Sequence, residues 1–105
     1  MEGRSIYRMI SEHARSMSMI AERLRGEKER VARLAALVLE TIADKALAGS
    51  TTAEDVRRLE ELSVLLRLYG VPSGPVERAR RLLLTVPLRS KAPEFRLEGG
   101  IIALA

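Results

Sequence analysis

The sequence predicts a mostly α-helical single domain spanning residues 1–105: a long amphipathic N-terminal helix packed with two shorter helices, and a small β-hairpin or extended tail at the end. Three observations predict it. Apolar residues recur at helical spacing through residues 6–42, and capping and turn residues punctuate the chain at 49–52, 70–75 and 87. Aromatics are only 3% of the chain, so the core must be Leu, Val, Ile, Ala and Met, a composition that suits helices better than sheets.

The first helix is placed at 1–48. Its apolar residues alternate four and three apart, and one heptad position holds Ile10, Met17, Leu24, Val31 and Val38. The other holds Ile6, His13, Ile20, Glu27, Leu34 and Thr41, so the pattern is a good amphipathic helix and an imperfect coiled coil. Gly26 is the one place for a kink. In favour of a break, Arg23 and Arg25 precede it and Glu27 and Glu29 follow, as two helix dipoles would want. Against one, the seam keeps its phase across the site and no loop of the usual length is visible. The balance favours a continuous or gently kinked helix. Such a helix would be roughly 68 Å long, about twice the diameter expected of a globule this size, and would have to project toward a partner.

Gly49 is placed as the C-cap of this helix, and Thr51-Thr52-Ala53-Glu54 as a capping box with Thr51 as N-cap and Glu54 reaching back. The second helix then runs over 51–69. A turn at 70–74 follows, and Pro75 at the first helical position opens a third helix over 75–86, ended by Pro87. In 88–105, alternation before Gly99-Gly100 and an apolar run after it predict a hairpin.

Composition narrows the function. There is no Cys, which excludes disulfides, thiolate chemistry and Cys-based zinc sites. Asn, Gln and Trp are also missing, and basic charge is nearly all Arg, a pattern expected of heat adaptation, with GC-biased coding as the alternative source. No uncharged run approaches the roughly 20 residues of a membrane helix, and the N-terminus lacks the apolar core of a secretory signal, so a cytoplasmic protein is expected. No phosphate-cradling glycine pattern and no HExxH occurs. His13 sits in the helical seam and reads as a half-buried helix residue, and Glu60-Glu61 point to different sides of a helix, toward Arg57 and Arg58 one turn earlier. The expectation is therefore a protein without enzymatic activity, cofactor, metal or small-molecule substrate.

Two binding surfaces remain. The stripe Ile10, Met17, Ile20, Leu24 and Val31 predicts self-association or docking on a partner protein, as a homo-oligomer or a small subunit of a larger assembly. The alternative is DNA or RNA binding through Arg78, Arg80, Arg81, Arg89, Lys91 and Arg96, a cluster suited to phosphates. The helix–turn–helix order of 56–86 is compatible with that alternative.

Overall fold

The heptad seam runs through Gly26, yet the helix breaks there. The structure is a computed structural model and describes residues 3–89. In place of one helix over 1–48 it has α1, Gly3–Glu22, and α2, Gly26–Leu47. At the end of α1, Arg23 N–H donates to the Ile20 carbonyl at 3.1 Å and Leu24 N–H to that of Ala21 at 3.0 Å, tightening the last turn. Arg25 is extended, and Gly26 takes φ +66°, a left-handed conformation that costs an L side chain about 1–2 kcal/mol. Three residues therefore suffice to reverse the chain.

Packing is what overrides the seam. Ile6, Ile10, Ala14, Met17 and Ala21 form one stripe on α1; Ala32, Ala35, Ala36, Leu39, Ile42 and Ala43 form another on α2, and every one of them is buried. The alanines of α2 let the two axes approach closely. Folding the stripes onto each other removes apolar surface from water that a projecting helix would leave wet.

The next helix, α3, spans Ala53–Leu68. Its N-cap is Thr52 rather than Thr51, and the carboxylate reaching back is that of Asp55 rather than Glu54: Thr52 N–H donates to Asp55 Oδ2 at 2.9 Å. The register moves by one because Asp55, 1% exposed, is also held by Lys45 Nζ at 2.9 Å, from the last turn of α2. Thr51 is buried instead, and its carbonyl accepts the N–H of Arg89. Gly49 caps α2 as expected, and Gly70 repeats the motif after α3. In each, the residue after the glycine donates back five positions, Ser50 to Lys45 and Val71 to Leu66, both at 2.8 Å. Buried Val71 completes the second cap by joining Leu66 in the core.

The last helix, α4, is Gly74–Leu83, with Pro75 in its first turn. It ends three residues short of the expected 86: Thr85 N–H and Oγ1 both donate to the Leu82 carbonyl, converting the end to a turn before Pro87. Residue 89 makes an isolated parallel bridge to Thr52; the rest of the expected C-terminal hairpin lies outside the described residues.

Each helix packs on the next, α4 returns to α1, and α4 also reaches α2 across the diagonal. Directions alternate. At one end of α3 Asp55 meets Lys45, while at the other the Lys28 ammonium lies over Gly70, so α2 and α3 are antiparallel. Glu77 and Arg80 of α4 meet Arg67 and Glu60 of α3 in reversed order. The result is an up-down-up-down four-helix bundle with a short fourth helix.

Candidate interaction surfaces

The stripe expected to meet a partner is spent inside the molecule. Ile10 and Met17 are fully buried, Val31 is 9% exposed, and half-buried Ile20 and Leu24 pack against the same core. The length argument for a partner goes with the continuous helix, since α1 and α2 are only roughly 30 and 33 Å long. In the sequence a core seam and an interface seam look alike, and only the hairpin distinguishes them.

The basic residues separate. Arg80 turns to α3 and holds Glu60 at 3.2 Å, so Glu60 does not pair with Arg57 or Arg58; these lie beside Glu54 at 3.8 Å and Asp55 at 3.9 Å. Arg89 is exposed beside the α2–α3 connection. Lys91 and Arg96 lie outside the described residues. Arg78 and Arg81 are exposed on α4, and neither is in an ion pair among the described residues.

What the fold does assemble is a groove between α1 and α4. One half is lined by Ser16, Met19 and Ile20 of α1 and Arg23 just after it, against Pro72, Gly74, Pro75 and Arg78. The other continues past Arg78 to Met9, Glu12 and His13 on one wall, with Arg81, Leu82 and Thr85 on the other. Each lining residue follows from helical spacing. On α1, Met9, Ser16 and Ile20 flank the buried stripe on the side turned to α4, and Arg23 follows them in the turn after the helix. Pro72 in the α3–α4 connection and Pro75 at the start of α4 add rigid apolar surface to the same depression as Ile20.

Two details set its character. Met19 is 58% exposed, a large apolar side chain in the same depression as Arg23 and Arg78. The Arg78 guanidinium folds over the start of α4, where a Cβ on Gly74 would stand only 3.3 Å from Nη2. A side chain at 74 would make the guanidinium shift by a few tenths of an ångström. Burial and then the Arg78 cation hold the His13 imidazole below the ordinary histidine range, against the opposing pull of Glu12. Sequence reasoning found Arg78 but not its union with Met19 and Arg23, which are 59 and 55 positions away in the chain. The signal available was Met19 itself, an apolar residue out of phase with the core stripe.

The α3–α4 face is a clamp instead. Glu77 Oε2 accepts from Ser73 Oγ at 2.6 Å, Ser63 Oγ at 3.1 Å and Arg67 Nη1 at 2.8 Å. The two serine hydroxyls and then Arg67 hold its carboxyl below the usual carboxylate range. All its acceptor capacity on that oxygen is used, so the cluster ties α4 to α3. Among the described residues there is no group of three His, Cys, Asp or Glu side chains placed to hold a metal ion, and no helix is long and apolar enough to cross a membrane.

Exposed apolar residues are also present on the outer sides of the bundle, at Leu34 and Leu37 of α2 and at Val64 and Leu68 of α3. Compared with protein-family models, curated proteins and solved structures, the chain matches none of them.

Proposed function

We propose that this protein is a non-enzymatic helical interaction module, an adaptor or small subunit that receives an acidic, partly apolar protein segment in the groove between α1 and α4. The observation that carries this reading is exposed Met19, lining one depression with Arg23, Arg78, Ile20, Pro72 and Pro75. An apolar contact flanked by cations fits a segment with an apolar side chain beside carboxylates, where the charges give selectivity and the apolar contact the affinity.

Selection from a displayed library of random peptides tests it. The expected outcome is enrichment of sequences that place Asp or Glu beside Leu, Met or Phe. Binding of the selected peptides should weaken on the order of tenfold in each of Met19→Asp and Arg78→Glu. No enrichment, or enriched peptides indifferent to both substitutions, would refute it.

Nucleic-acid binding is the second reading, supported by Arg78 and Arg81, which share one exposed side of α4 and carry no ion pair among the described residues. The groove contains no aromatic side chain on which a base could stack. Retention of duplex or single-stranded oligonucleotides, falling steeply with salt and abolished in the Arg78→Glu, Arg81→Glu protein, would favour this reading over the first.

A further inference from the structure

The outer side of α2 carries a pattern that its own fold does not use. Arg30, Leu34, Leu37, Thr41 and Asp44 recur four and three apart along that helix, all exposed, with Leu37 62% exposed at the centre. Arg30 lies seven residues before Leu37 and Asp44 seven after it, each two turns and about 10 Å away. Among the described residues, neither is in an ion pair. Arg15 of α1 lines the same depression as Glu40 and Asp44 without coming within ion-pair distance of either. The order of charge is also wrong for α2 alone. Asp44 stands in its last turn, at the negative end of the helix dipole, where an acid is disfavoured.

We propose that α2 is the contact helix of a homodimer, crossing its copy antiparallel on a two-fold axis at Leu37. Reversing the stripe about Leu37 exchanges its basic half for its acidic half, so the face is complementary to itself. That is the property an isologous contact requires. Antiparallel pairing sets Leu37 against Leu37 of the second copy, and Arg30 of each copy against Asp44 of the other at both ends. Arg33, held by Glu29 at 2.8 Å within the helix, lies on the side of Glu40 in the second copy and adds to the same match. Parallel pairing would place like charges together. Leu34 extends the apolar contact. The α2–α3 register brings half-buried Leu65 level with it, which widens the patch toward α3.

This contact is on the opposite side of α2 from the core and shares no residue with the α1–α4 groove, so the two readings stand or fall separately. Sedimentation velocity over about 1–100 µM tests it. The expected mass is twice the 11.7 kDa of the chain. Arg30→Asp and Asp44→Arg should each weaken the dimer on the order of tenfold, because each puts like charges at both ends. The protein carrying both substitutions restores the pairs in reverse and should recover to within about threefold of the original. Arg78→Glu should leave the dimer intact. A chain that stays monomeric at the highest concentration overturns the proposal. So does a dimer indifferent to the single substitutions, or a doubly substituted protein no tighter than either single one. Circular dichroism of each variant separates lost dimerisation from lost folding.

Discussion

Gly26→Ala separates the hairpin from a continuous helix by the sign of its effect. In the interior of one long helix, replacing glycine by alanine stabilises by about 1 kcal/mol, because alanine has the better helix propensity and glycine the greater entropy to lose. In the hairpin, position 26 holds φ +66°, and alanine pays about 1–2 kcal/mol to adopt it. A Cβ at 26 meets nothing within 4 Å, so no steric cost adds to the backbone one. Alanine also narrows the unfolded ensemble, which returns roughly 0.4–1 kcal/mol. The balance is a loss of about 1 kcal/mol, or a midpoint lower by about 4–8 °C for a domain of this size. Gly26→Asn should lose less, since asparagine tolerates the left-handed region better. Urea and thermal unfolding followed by circular dichroism measure both variants. A Gly26→Ala protein more stable than the parent, with unchanged unfolding cooperativity, would show that the reversal at 23–26 is not the native conformation.

Two further outcomes follow from single contacts. Asp55→Ala removes both the reciprocal partner of Thr52 and the anion that Lys45 holds, and should cost about 2 kcal/mol in denaturant unfolding; a loss under about 0.5 kcal/mol would mean that the α2–α3 junction is held elsewhere. His13 should titrate below the ordinary histidine range by NMR, rising in Arg78→Ala and falling in Glu12→Ala. Its folded-state value is depressed, so its contribution to stability is present above the unfolded value and is lost as pH falls through the folded one. A titration unchanged by Arg78→Ala would place that guanidinium away from the ring.

How much of this was legible in the sequence depends on whether a signal is local. The helical class, the cap at Gly49, the turn at 70–74 and Pro75 at the start of the last helix all follow from side chains acting on their own backbone, which is why they read directly. The capping box was read one residue early. Thr51-x-x-Glu54 and Thr52-x-x-Asp55 are equivalent locally, and the choice falls to Lys45, a residue of another helix. The same limit governs the candidate site. Arg78 and Arg81 are visible as charges, but their neighbours Met19, Arg23 and His13 are brought to them only by α1 and α4 packing together.

By itself the sequence determined that the first half of the chain is amphipathic helix, through apolar spacing that a straight helix and a folded pair satisfy equally well. Only the tertiary structure decided between them. The alanines at 32, 35, 36 and 43 form a second apolar stripe whose burial needs the stripe of α1 opposite it, and one glycine able to take a positive φ makes that meeting possible. The decision moved Ile10, Met17 and Val31 from a surface to a core, and left Leu34 and Leu37 of α2 and Met19 beside α4 exposed.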